Sequence, residues 1–383
     1  MARVLTLQDK MQSAGGMTTG FDYLRIGLSL AVLTWHAMAL SARSPEFDAE
    51  CWSGPFRFIL AAIIPLFFAL SGFLVTGSLG RTRLHQFVTL RLIRLIPALA
   101  VEITLSAVII GLIFTTLPAS EYLSSPGFYG YFLNIVGDIH YFLPGVFDDK
   151  PFQGLMNGQL WTIPFELECY LALVLLAIST VTRRRLVFLA IVAALSLAFT
   201  VRALTGPPIS GVTHLPGRVA VVCFLAAVSF YLYRDRIPYS NLLGVISVVA
   251  TAVCMQIPAA AYLAAFPVAY LTIWLGLMRP PAIPFGDLSY GVYLFHWPIQ
   301  QSTVHMFQSN HSPWLLMLIS LPLTTLCAWL SWTWIEKPIL VRKKSILTAV
   351  DRMWDALPTL GRLTWERQKN KARASADAVG QAD

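Results

Sequence analysis

Charge is what this chain has least of. Only 13% of its 383 residues are Asp, Glu, Lys or Arg, roughly half the share of an ordinary soluble domain. Hydrophobic residues make up 56% and the mean hydropathy is +0.64, which excludes a water-soluble globule. Cysteine is sparse as well. Cys51, Cys169, Cys223, Cys254 and Cys327 show no metal-ligand spacing, so no metal centre is expected, and most sit in apolar runs as packing residues. Nothing in the sequence supports a disulfide through Cys51. No internal repeat and no second folded domain can be read. Residues 1–20 are polar and the first apolar run lacks a small-residue cleavage site, so no cleavable signal peptide is expected.

What the chain has in abundance is apolar runs of about 20 residues, the length that crosses a bilayer. The expected fold is an all-α, polytopic transmembrane helix bundle of about ten spanning helices, near 22–42, 57–79, 92–117, 160–181, 186–204, 216–233, 240–257, 259–278, 286–306 and 314–340. The net charge of +8 comes from basic residues clustered between these runs, which points to membrane lipids rather than nucleic acid as the partner. Arg81, Arg83 and Arg91 follow the second run, Arg183, Arg184 and Arg185 the fourth, and Arg342, Lys343 and Lys344 the tenth. Every even run ends in basic residues, which places both termini in the cytoplasm. The domain reading is a cytoplasmic N-terminal segment (1–20), a membrane domain (21–341) and a cytoplasmic tail (342–383), amphipathic at first and then disordered. Residues 127–143 are aromatic but carry Asn134, Asp138 and His140; they read as an outward loop with an interfacial or re-entrant helix, the alternative being an eleventh span.

Ionisable residues inside the runs mark function by default. Arg25 and His36 stand eleven positions apart in the first run, about three helical turns and about 16 Å, so they share a face. Trp161-Thr162-Ile163-Pro164-Phe165-Glu166 opens the fourth run. Counting turns from the outer end puts Glu166 at the depth of His36, where a hydrogen bond between them would give a general base and its orienting carboxylate. Arg91 and Arg94, three apart, share a face near the cytoplasmic end and suit phosphate groups; topology and lipid headgroups are the plainer account of the same run.

These residues resemble the acyltransferase-3 family of integral membrane O-acyltransferases over about 21–338. Arg25 through His36 resembles its opening arginine–histidine motif. Pro65 to Leu74 is similar to its second-helix signature, and Arg91-Leu92-Ile93-Arg94-Leu95-Ile96-Pro97 to its paired arginines before a proline. Leu160 through Glu166 to Tyr170 resembles its tryptophan–glutamate–tyrosine motif, Gly286-Asp287-Leu288-Ser289-Tyr290-Gly291-Val292-Tyr293 through His296-Trp297-Pro298 its serine–tyrosine to histidine–proline segment, and Glu336-Lys337-Pro338 its terminal motif. The chain departs at Leu167, where a second glutamate is frequent, at Glu168, where glutamine is usual, and at Pro164, which would kink the helix.

The resemblance implies transfer of an acyl group, most often acetyl, from acyl-CoA to a hydroxyl of an extracytoplasmic or cell-surface glycan, by a multi-pass protein of the bacterial cytoplasmic membrane. No cofactor is tightly bound; acyl-CoA is a co-substrate. His36 would be the base, Glu166 its partner, and Arg25 either a donor-stabilising or a helix-organising group. Arg91 and Arg94 would hold the CoA phosphates, and Trp161, Tyr170, Tyr290 and His296 would contact substrate. Direct transfer and an acyl-enzyme on His36 both stay open. His85, His140, His214, His305 and His311 read as non-catalytic, and Glu336 as a structural cap. The rival class is a transporter or flippase of a glycolipid or small metabolite, against which the absence of internal repeats counts.

Overall fold

The computed structural model of the protein describes residues 5–16, 18–148, 154–206, 215–284, 286–307 and 312–356. Among them there are helices and isolated bridges but no strand. In chain order the helices are α1 (Leu7–Ser13), α2 (Gly20–Ala42), α3 (Pro45–Ser53), α4 (Arg57–Leu79) and α5 (Leu84–Phe114). Then come the short α6 (Ala119–Ser124) and α7 (Pro126–Tyr131), followed by α8 (Gly158–Ile178), α9 (Arg185–Thr205), α10 (Gly217–Leu232) and α11 (Asn241–Gln256). The last four are α12 (Pro258–Gly276), α13 (Ser289–Met306), α14 (Pro313–Val341) and α15 (Lys343–Ala356).

Seven of these, α2, α4, α5, α8, α9, α12 and α14, are long and apolar enough to cross a membrane. Each of the other three expected spans also holds a helix. However, α10 and α11 are only 16 residues long, and α13 is made polar by His296, Gln300, Gln301, Ser302 and Thr303. Residues 127–143 form no eleventh span. They fold as α7 and a 3-10 turn, Phe132–Val136, closed by buried Asn134, whose amide donates to the carbonyls of Tyr131 and His140 and accepts from the His140 N–H. Pro164 does not kink a helix interior. It sits where the 3-10 turn Gly158–Thr162 becomes α-helix, a first-turn position whose missing N–H costs no hydrogen bond.

The polar N-terminal segment docks on the body of the protein: Leu7 is fully buried, its N–H bonds Ile237 O, and Tyr239 N–H bonds Leu5 O. At the other end, α15 lies against the start of α5, where Asp351 accepts from His85 (2.6 Å) and from the Gln86 amide. Residues 1–4 and 357–383, including the segment read as disordered, fall outside the described residues, as do His214 and His311.

The core is built by close helix contact. α10 packs on α4 at Gly72, where a Cβ would stand 2.3 Å from the Phe224 carbonyl oxygen; only glycine allows that approach. α13 packs between α2 and α14. The polar groups of α2, α5, α8 and α13 are thereby turned toward one another across the bundle.

Candidate active site

Two cavities lie between these helices. One, of about 170 Å³, is lined by Arg25 of α2, Ser71 of α4, Arg91 and Arg94 of α5, Glu166 and Tyr170 of α8, and Tyr290 of α13. The other, of about 370 Å³, is lined by His36 and Trp35 of α2, Asp48 and Trp52 of α3, Tyr141, Trp161 and Trp297. Ile64 and Tyr293 line both and form their common wall. Tyr293 is held there by its hydroxyl, which donates to Gln159 O (2.8 Å) and shares a hydrogen bond with the Thr162 hydroxyl (2.6 Å).

In the arginine-lined cavity the cations are not equivalent. Arg94 donates to Asp287 (2.6 Å) and Glu336 (3.0 Å) and lies over the rings of Tyr290 and Trp332. Arg25 donates to the same Asp287 oxygen at 3.1 Å. Arg91 makes no ion pair among the described residues, and its buried Nε has no hydrogen-bond partner. Asp287 is thus the hub that ties α2 and α5 to the entrance of α13, and its other oxygen accepts from Ser289.

Glu166 does not reach His36. It accepts a hydrogen bond from Tyr170 one turn along its own helix and lines the arginine cavity, whereas His36 lines the aromatic one. The expected pairing fails because counting turns fixes depth but not direction, and because α8 begins as a tighter 3-10 turn. The partner of His36 is instead His296: His36 Nδ1 and His296 Nε2 are 2.6 Å apart. The aromatic edge of Trp297 packs on the other side of His36, with centroids 4.6 Å apart.

Of the residues expected to contact substrate, Trp161 faces the aromatic cavity, and Tyr170 and Tyr290 face the arginine cavity. His296 is corrected: it is fully buried behind His36 and lines neither cavity. Glu336 is more than a cap, since it carries half of the Arg94 ion pairing.

Residues 18–333 match a family model described as an acyltransferase domain, that of the acyltransferase-3 family. The chain belongs to the acyltransferase-3 family. It is a multi-pass membrane O-acyltransferase. It is 26% identical over 366 residues to an O-acetyl transferase of Shigella phage Sf6, covering 86% of this chain and 98% of the relative. It is 28% identical over 364 residues to Nodulation protein 10 of Rhizobium leguminosarum bv. viciae, covering 88% and 97%. No solved structure matches it significantly.

Within this acyltransferase the arrangement separates two chemical surroundings. One cavity is lined by guanidinium groups, and the other by an imidazole among aromatic rings. Sequence reasoning included Asp287 and Tyr293 in a motif segment but gave them no role, and it missed the Asp48–Trp52 wall. Asp287 left a signal, an acid directly before an apolar run that should begin near a basic face. Asp48 and Trp52 left none, because α3 reads as an ordinary polar connection between two spans.

Proposed function

We propose that the protein moves an acetyl group from acetyl-CoA, bound in the arginine cavity, to a hydroxyl of a glycan or glycolipid in the aromatic cavity, with His36 as general base. The observation that carries this reading is the pair of cavities meeting at one wall, one arginine-lined and one holding the histidine. An arginine that makes no salt bridge among the described residues, and whose buried Nε has no hydrogen-bond partner, suits a phosphate through forked, charge-assisted hydrogen bonds. Aromatic faces with a nearby carboxylate, here Trp35, Trp52, Trp161 and Asp48, suit a sugar ring, whose C–H faces pack on indoles while its hydroxyls donate to the acid. The printed name of the phage relative, an O-acetyl transferase, favours acetyl as the group.

In the reaction the pantetheine arm crosses the wall at Ile64 and Tyr293. His36 removes the acceptor's hydroxyl proton as the oxygen attacks the thioester carbonyl. The C–S bond then breaks, and the CoA thiolate takes up the proton held by His36. Glu166 and Tyr170 form the polar side of the donor cavity, and Arg25 and Arg94, tied to Asp287, keep its helices in register. We place the protein in the bacterial cytoplasmic membrane with ten spans and both termini inside. The basic loops support this orientation. So do the contacts that put the N-terminal segment beside residues 234–239, and α15 beside the start of α5.

The test compares the mass profiles of surface glycans from cells carrying the wild-type gene, the His36→Ala variant and no gene. The expected result is an acetyl increment present only with wild type, while the variant is expressed and inserted normally. Full acetylation with His36→Ala would remove the histidine from the reaction.

A further inference from the structure

His296 is a buried ring that lines neither cavity, yet it bonds His36, which lines the aromatic one. Its Nδ1 lies 2.8 Å from the Tyr293 carbonyl oxygen and 3.2 Å from that of Val292. Carbonyls only accept, so Nδ1 must carry a proton. In a neutral imidazole the other nitrogen, Nε2, is then bare. That bare nitrogen faces His36 Nδ1 at 2.6 Å. Two lone pairs at that distance would repel, so the proton between the rings sits on His36 Nδ1. The two rings are parallel within 4° with centroids 5.0 Å apart. An N···N distance of 2.6 Å is shorter than stacked ring planes allow, so the rings meet edge to edge in a common plane, as a linear N–H···N bond requires. Among the described residues no carboxylate bonds either ring, so no fixed acid holds the pair in a charged state.

From this chain of donors and acceptors we infer that His296 is a positioning residue that fixes His36 in the tautomer with Nδ1 protonated and Nε2 bare. The inference rests on the reading of His36 as the general base. The α13 backbone sets the His296 tautomer, and His296 sets that of His36. The lone pair needed to take a proton is thereby left at Nε2 of the ring that lines the acceptor cavity. When His36 becomes an imidazolium, its Nδ1–H continues to donate to His296 Nε2, so a neutral ring does here what a carboxylate does in a serine-hydrolase triad. A neutral partner suits a site inside the membrane, where a buried carboxylate would carry its own desolvation cost.

The first test is spectroscopic and uses the wild-type protein in lipid nanodiscs, labelled with ¹⁵N-histidine. Bare and protonated ring nitrogens are well separated in ¹⁵N shift, and His36→Asn and His296→Asn supply the assignments. The expected spectrum has Nδ1 protonated and Nε2 bare in both rings. A protonated Nε2 on His36 overturns the inference outright. The second test follows transfer of radiolabelled acetyl from acetyl-CoA into the glycan fraction of native membranes. His296→Leu removes the acceptor and frees His36 to hold its proton on either nitrogen. It should lower kcat by about 100-fold or more, a general-base-sized loss, with KM for acetyl-CoA unchanged. His296→Gln, whose carbonyl can accept from His36 Nδ1–H while its amide donates to Tyr293 O, should recover to within about tenfold of wild type. A His296→Leu protein with wild-type kcat overturns the positioning role even if His36→Ala is dead. Full transfer by His36→Ala instead overturns the proposed function.

Discussion

Asp287 should be the most stability-critical acid near the donor cavity. Its carboxylate bridges Arg25 at 3.1 Å and Arg94 at 2.6 Å, with side-chain exposures of 18% for the acid, 25% for Arg94 and 31% for Arg25. Breaking a fully buried pair by removing one partner costs about 3–5 kcal/mol, whereas an exposed pair contributes about 0–1 kcal/mol. These groups lie between those limits, and Arg94 retains Glu336 at 3.0 Å. Asp287→Asn keeps the shape, removes the charge, and should therefore cost about 2–3 kcal/mol. The assay is reversible unfolding in mixed detergent–SDS micelles, run as a double-mutant cycle with Arg94→Gln. The coupling should be about 1–2 kcal/mol, because each single substitution strands the same contact. If the two single costs add to within about 0.5 kcal/mol, the bridge carries no net energy and the account of α13 being fastened to α5 through it is wrong.

Three further outcomes follow from the same geometry. Arg91→Ala should raise KM for acetyl-CoA roughly ten- to a hundredfold, the equivalent of losing hydrogen bonds to a charged group, with Arg91→Lys intermediate; an unchanged KM would return Arg91 to a topological role. Gly158→Ala would place a Cβ 2.6 Å from the Trp297 ring that buttresses His36; it should cost about 1–3 kcal/mol and lower kcat, and normal values of both would show that the ring yields freely. Hydrogen bonding from His85, then Gln86, holds the Asp351 carboxyl below its usual range. A depressed acid stabilises docking above its undocked pKa and loses that contribution as pH falls through the docked one. Amide exchange across residues 343–356, corrected for intrinsic rates, should therefore accelerate below roughly pH 4; a flat profile would mean that α15 is held by other contacts, such as the Trp354–His85 ring pair.

The sequence disclosed the helices and the polar residues far better than it disclosed their partners. Apolar length located the seven helices long and apolar enough to cross a membrane, and spacing alone joined Arg25 and His36 to one helix. Partner assignment failed wherever it depended on rotation about a helix axis. Glu166 was matched to His36 by depth, but it faces Tyr170 and the arginines. His296 was marked by the family motif, but its burial behind His36 arises only when α13 packs on α2. The polarity of α13 was itself the legible clue: buried His296, Gln300 and Gln301 call for partners inside the bundle, and the Gln300 amide N–H donates to the Leu33 carbonyl of α2.

Charge balance explains why Arg91 matters more than the motif that contains it. Three arginines and Glu166 line the arginine cavity, and Asp287 and Glu336 pair with Arg25 and Arg94. With Asp22 3.9 Å from Arg25 as well, the three cations are fully balanced by nearby acids, which is what a bundle surrounded by lipid can tolerate. An incoming phosphate must displace a carboxylate to engage Arg94, and that exchange returns little net energy. On the proposed reading a phosphate at Arg91 would displace no salt bridge: Arg91 makes no ion pair among the described residues, and its buried Nε has no hydrogen-bond partner. The two arginines, equivalent in sequence and only three residues apart, therefore differ in their surroundings: Arg94 is tied to Asp287 and Glu336, and Arg91 is the one the proposed function assigns to an anion.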